Sequence, residues 1–197
     1  MKPGLINFAS LTAVLTGACC GQWTPGERAI IDYSDSLMTV MIMPGDSAIL
    51  RARSIDLSTA ELRSPRLRSL IGKMLYTVQD PSQDGVGIAA PQVGINRRIV
   101  CIQRFDMPGE PFKAFVNIKI DSLLGPVVCG PEGCLSVPGK RGIVPRHRSI
   151  KISYTDIDSG TVCHETVEGF TAVIFQHECD HLDGILYTDR ADSLFTR

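Results

Sequence analysis

The stretch FQHECDHLDG, residues 175–184, sets two histidines, His177 and His181, four residues apart and puts Glu178 directly after the first. Just upstream, Ala172, Val173, Ile174 and Phe175 are consecutive apolar residues. A helix that is apolar on more than one side is a buried one. The pattern predicts a core helix over 170–182, stopped by Asp183-Gly184. On such a helix, residues four apart share a face, so His177 and His181 can offer two imidazoles to one ion. Glu178 is turned by about 100° from His177 and reaches the edge of that site without being forced into it.

In this His-Glu-x-x-His arrangement two histidines bind zinc or a similar ion and the glutamate handles a proton. Left unpaired, three such groups would cost a buried helix several kcal/mol, and a metal removes that cost. Cys179 and Asp180 point to other faces of the helix. Cys179 is read as a core thiol, and Asp180 as a carboxylate that supports the site or lies at the surface. Two histidines are an incomplete site, since a catalytic centre of this kind has three protein ligands and an open position. His147, His164, Cys134 and several carboxylates are candidates for the third. Cys134 stands out in GPEGCLSVPG (residues 130–139) because glycines on both sides let backbone approach an ion or ligand closely.

The rest of the chain bounds the fold. Its 197 residues suit one domain with a real core. A formal net charge of −1 lacks the basic excess that nucleic-acid binding needs. Seven scattered cysteines do not read as a disulfide framework. Residues 64–80 show the clearest amphipathic helix, with Ser64 as cap, Pro65 at the first position and an apolar stripe from Leu67 to Val78. Leu37–Met43 is expected as an entering strand, ended by Pro44-Gly45-Asp46. Arg98–Ile102, Phe112–Ile120, Ile150–Tyr154 and Gly160–Glu168 read as further strands. Strands and helices do not alternate regularly. The expected fold is therefore α+β, with mixed or antiparallel sheets packed around a buried central helix that carries the histidines.

Residues 1–20 have the layout of a secretory or lipoprotein signal: Lys2, an apolar run from Leu5 to Leu15, and small residues before Cys19. Two readings stay open, an extension of a cytoplasmic protein and an exported chain with a lipid anchor at Cys19. Residues 21–36 are expected as a linker or loose helix, and the domain proper spans 37–197.

Three stretches together, GVGIAAPQVG (85–94), EGCLSVPG (132–139) and QHECDHLDG (176–184), resemble in order and spacing the signature motifs of bacterial peptide deformylase. The likeness covers roughly 150 residues, from the entering strand to the end of the metal helix. It implies Cys134 as the third ligand beside His177 and His181. One divalent ion per chain is implied, Fe2+ physiologically, with Zn2+, Ni2+ or Co2+ as alternatives. The implied reaction is hydrolysis of the N-formyl group of formyl-Met peptides or nascent chains, at the ribosome if the chain is cytoplasmic, by a monomer. Glu178 would carry the proton, and the Gln92 side-chain amide and the Leu135 backbone N–H would stabilise the oxyanion. Substrate backbone would lie along Val86, Gly87 and Gly133, and the methionine side chain against Val173 and Ile174. Arg141 matches an arginine near the peptide groove, and Glu132 and Arg146 an ion pair supporting the cysteine loop. The chain departs from the family at Ile88, usually leucine, at Cys179, usually a larger apolar residue, and in its short tail, Tyr187–Arg197. Two other readings remain: an exported metallopeptidase or amidase, and a non-catalytic metal-stabilised binding module.

Overall fold

The structure is a computed structural model that describes residues 22–83 and 85–196. The proposed signal segment and Cys19 lie outside the described residues.

Six strands form one antiparallel sheet: β1 (Gly87–Ala89), β2 (Ile99–Gln103), β3 (Phe112–Cys134), β4 (Val137–Thr155), β5 (Val162–Glu168) and β6 (Ser193–Thr196). The order is β1-β2-β3-β4-β5, with β6 paired to β4. Five helices accompany it: α1 (Pro25–Asp32), the single turns α2 (Ser47–Leu50) and α3 (Thr59–Leu62), α4 (Pro65–Val78) and α5 (Gly169–Leu182).

The helix expected over 64–80 is α4. Ser64 Oγ accepts a hydrogen bond from Arg66 N at its start, a cap whose loss typically costs about 1 kcal/mol. Its buried residues Leu67, Leu70, Met74 and Val78 pack with Ile88, Ile99, Cys101 and Val116. α5 lies against the other face of the same strands. Ala172, Ile174, Phe175, Cys179 and Leu182 pack with Ala89, Val100, Ile102 and Phe115. Successive strand residues point to opposite faces, and here both faces are covered by a helix. That is why Ile99–Ile102 is an unbroken buried apolar run.

Within residues 22–36, part of the segment expected as a linker or loose helix, a short helix packs on the domain. A capping box formed by Thr24 and Glu27 starts α1, and Trp23 and Ile31 are buried in the α4-side cluster. Arg97 holds this segment down. It donates to both carboxylate oxygens of Glu27 at 2.7 and 2.9 Å and pairs with Glu61 at 3.1 Å. Its guanidinium lies 5.5 Å from the centre of the Trp23 ring.

Residues 37–43 form no strand, contrary to the expectation. Met41 N donates to the Gln92 carbonyl and Met43 N to the Ser136 carbonyl, while Met38 N is taken by the Thr77 hydroxyl. The acceptors belong to three separate elements, so the extended segment finds no continuous partner and no ladder forms. β3 and β4 in turn run 23 and 19 residues, far beyond the short runs anticipated. Register shifts at Val116/Lys119, Ile120/Ser122 and Leu124/Val127 break the apolar alternation that would have revealed their length.

Candidate functional site

Three elements converge on one point. α5 presents His177 and His181 on one face. The tip of the β3–β4 hairpin presents Cys134, which pairs with Val137 just beyond a register shift after Gly133. The segment after β1 forms a 3-10 turn, Ala90–Val93, that carries Gln92. Cys134 Sγ and His181 Nε2 are 3.2 Å apart. The ligand atoms of Cys134, His177 and His181 all lie within 4.8 Å of one another, the one such triad among the described residues. Asp180 and Cys179 are not part of it.

The supports of this triad are polar, and Glu132, Arg146 and Asp180 among them are buried. His177 Nδ1 lies 2.8 Å from Glu132 Oε2, which leaves Nε2 for the site. Arg146 donates to both oxygens of Glu132, at 2.8 and 3.1 Å, and to Asp180 Oδ2 at 2.6 Å. Arg190 donates to both oxygens of Asp180, at 2.6 and 2.7 Å. A chain of charges therefore runs from Arg190 through Asp180, Arg146 and Glu132 to the His177 ring. Glu132 and Arg146 form the expected ion pair. Asp180 proves to be a support, bonded to Arg146, and Arg190 carried no signal in the sequence because its partner lies on the preceding helix. Tyr187, also unforeseen, stacks on His177 with ring centres 6.0 Å apart.

Electrostatics follow from this geometry. Burial works against the Cys134 thiolate, but the imidazoles of His181 and His177 outweigh it and hold its pKa well below that of an ordinary thiol. Burial also opposes the charge on Glu132, yet His177 and Arg146 pull its pKa down to about 2. Glu178 is different. Burial dominates, and its pKa rises to about 7. Its Oε2 is buried without a hydrogen-bond partner. Gly87 leaves room for it, since a Cβ there would lie 2.5 Å from Glu178 Oε1. Cys179 is a core thiol, its pKa pushed up to about 12 by burial.

Gln92 is fixed at both ends of its amide. Oε1 accepts from Ala89 N at 2.9 Å, and Nε2 faces Ser136 Oγ at 3.2 Å and Cys134 Sγ at 3.5 Å. Ser136, missed in the sequence, also donates its backbone N–H to Cys134 Sγ at 3.4 Å.

A groove of about 860 Å³ opens over the site. Val86, Gly87, Gly133, Leu135, Arg141, Val173 and Ile174 all line it, together with Gln92, Cys134, His177 and Glu178. His181 and Arg146 lie outside the lining. Leu37, Met38 and Phe170 are lining residues that sequence patterning did not single out.

The donor set fits a divalent ion. One low-pKa sulfur and two imidazoles converge, one imidazole is oriented by a carboxylate, and an unpartnered carboxylate oxygen stands beside them.

Comparison with known proteins agrees. Residues 39–196 match the family model described as polypeptide deformylase. The chain is 39% identical over 152 residues to the peptide deformylase of Leptospira biflexa, covering 74% of this chain and 83% of that protein. It is 43% identical over 133 residues to peptide deformylase 2 of a Nostoc species, covering 64% of this chain and 73% of that protein. A class I type b peptide deformylase of Acinetobacter baumannii, solved with Met-Ala-Ser bound, superposes with a TM-score of 0.69 at 36% identity, covering 78% of this chain and 98% of that one. The deformylase structure from Thermotoga maritima gives 0.70 at 32% identity, covering 80% and 99%. On its fold, its family match and these relatives, the chain belongs to the polypeptide deformylase family.

Proposed function

We propose that Cys134, His177 and His181 hold the divalent ion of this deformylase and that Glu178 is its proton carrier. The reaction is the metal-dependent removal of the N-formyl group from formylated peptides. The observation that carries the residue assignment is the convergence of one thiolate and two imidazoles around a buried, unpartnered Glu178 oxygen. When bound, the ion supplies a Lewis acid for the formyl oxygen and lowers the pKa of water. Fe2+ and Zn2+ both suit a mixed thiolate and imidazole donor set.

The residues of the chain do the rest. Glu178 is buried beside the triad with one carboxylate oxygen unpartnered, and burial favours its protonated form, so it is placed to take a proton from the attacking water and return it to the departing amine. Gln92 cannot turn its amide freely, because Oε1 is tied to Ala89 N. Its Nε2 is therefore aimed at the cysteine loop, ready to donate to the oxygen on which negative charge develops. The Leu135 backbone N–H, at the tip of the same hairpin, is the second donor in this reading. Val86, Gly87 and Gly133 receive the peptide backbone in strand fashion, and Val173 and Ile174 receive the methionine side chain. Arg141 stands at the basic rim of the groove. His177 keeps its orientation through Glu132 and Arg146. The histidine–glutamate motif on α5 is in this reading both the metal motif and the source of the base.

The test is a comparison of substrates. N-formyl-Met-Ala-Ser is expected to be turned over by the metal-loaded chain, and N-acetyl-Met-Ala-Ser to be left intact. Equal turnover of the two would replace this reading with a broader amidase.

A further inference from the structure

The C-terminal tail touches the groove at one remove. None of residues 190–196 lines it, yet β6 pairs residue by residue with one of its walls. Thr196, Phe195, Leu194 and Ser193 lie opposite Lys140, Arg141, Gly142 and Ile143. Lys140 and Arg141 are the basic residues among the described lining of the groove. On its other side β3 pairs with Ile143, Gly142 and Arg141 but not with Lys140. Arg141 pairs with Gly133, and the next pair toward the tip is Cys134 with Val137, so residues 138–140 have no partner on β3. The tail reaches Lys140, opposite Thr196, and adds a second row of contacts to the rest of the wall. Asp192 N donates to the Ile143 carbonyl at 2.9 Å, and the Tyr187 hydroxyl donates to the Lys140 carbonyl at 3.0 Å. The two strands approach closely at Gly142. A Cβ there would lie 2.9 Å from both Ala191 Cβ and Leu194 Cδ2 and 3.0 Å from the Ser193 carbonyl oxygen. The Arg141 side chain in turn lies over Gly133, whose hypothetical Cβ would meet its Cγ at 3.7 Å and its Nε at 3.9 Å.

We infer that β6 is a positioning element for the peptide groove: it holds the Lys140–Ile143 wall in place and so sets Arg141 across Gly133, where the substrate backbone runs. This rests on the deformylase reading of the groove. Residues after the methionine sense the tail, whereas the reacting centre, fixed by α5 and the hairpin tip, does not. Cross-strand neighbours on one face stabilise each other's placement, and here the row is Gly133, Arg141 and Phe195.

The experiment uses N-formyl-Met-Ala-Ser with the full chain, a chain ending at Arg190, Arg141→Ala, and the combination of the last two. Loss of a contact that binds substrate and transition state alike raises KM at constant kcat, here by about tenfold for the shortened chain. Arg141→Ala is expected to raise KM by a similar factor in the full chain and to add little in the shortened one, because the two changes remove the same interaction. Gly142→Ala, which pries the strands apart with the tail still present, is expected to raise KM in the same sense. Additive effects of truncation and Arg141→Ala, or an unchanged KM in both the shortened chain and Gly142→Ala, would overturn the proposal. Loss of bound metal and kcat together on truncation would also overturn it. If the full chain leaves the formyl peptide intact, it is the deformylase reading that fails.

Discussion

Arg97 and Arg146 are each buried between two carboxylates, and they serve different ends. Arg97 lies between Glu27 and Glu61 at one side of the sheet, and Arg146 between Glu132 and Asp180 beside α5. Both are under a tenth exposed. The chemistry is the same, and the difference lies in where each network ends. The Arg97 clamp ends on helix caps: Glu27 closes the box with Thr24, and Glu61 the box with Ser58. It pins α1 and α3 to the domain. The Arg146 clamp ends on the ring of His177 through Glu132. A buried arginine clamp thus fixes position in both places, and it bears on chemistry where its last member is a proposed metal ligand, as His177 is.

The same substitution in both clamps separates these ends. Arg146→Met leaves Glu132 and Asp180 facing an apolar side chain and frees His177 from its fixed orientation. Loss of such outer support typically costs a metal site 10–100-fold in affinity or activity, and about that loss is expected here. Titration of the ion into the apo-protein measures it. Arg97→Met leaves the buried Glu61 and the partly buried Glu27 without their cation, a defect of about 3–5 kcal/mol. Urea unfolding is expected to report a loss of that order, while metal content and kcat stay unchanged at temperatures where the variant is folded. Equal metal affinity in the two variants would erase the distinction drawn here.

A third cluster gives a smaller effect. Arg104, buried between the Phe115 and Phe175 rings, pairs with Asp106 and Glu165. The Arg104 guanidinium holds the Asp106 carboxyl below its ordinary range. A depressed folded-state pKa adds stability above the unfolded value of about 3.9 and loses it as pH falls through the folded pKa. Asp106→Asn is therefore expected to flatten the decline of stability below about pH 4, seen as a smaller change in urea midpoint than in the parent. A decline as steep as the parent's would show that Asp106 contributes nothing to it.

Much of this arrangement is legible in the sequence, and the parts that are not share a cause. α4 announces itself through Ser64, Pro65 and its apolar stripe, all local signals. The helix expected over 170–182 runs over 169–182 because its apolar run and the Asp183-Gly184 stop are also local. The glycine-rich loops are recognisable as a set by their resemblance to a family; the flanking glycines bring Cys134 forward as a candidate, but no single loop brings Gln92 forward. What escaped depends on partners distant in the chain. Residues 37–43 look strand-like but bond to three different elements. Arg190 matters through Asp180, and Ser136 through its bonds to Gln92 and Cys134. β3 and β4 hide their length behind bulges, where the two-residue period slips. The tail reads as a short polar remnant, and its pairing with Lys140–Ile143 becomes visible only when the hairpin is folded.

We propose that α5 provides ligands and base from one turn of helix, with His177 and His181 holding the ion and Glu178 moving the proton. Turnover of N-formyl-Met-Ala-Ser by the parent chain and by Glu178→Gln, at matched metal content, tests it most directly. The glutamine keeps the size of the side chain and removes its basicity. The variant is expected to bind the ion as the parent does and to lose on the order of 10²–10⁴-fold or more in kcat. Parent-like turnover by a fully loaded Glu178→Gln chain would contradict the proposal.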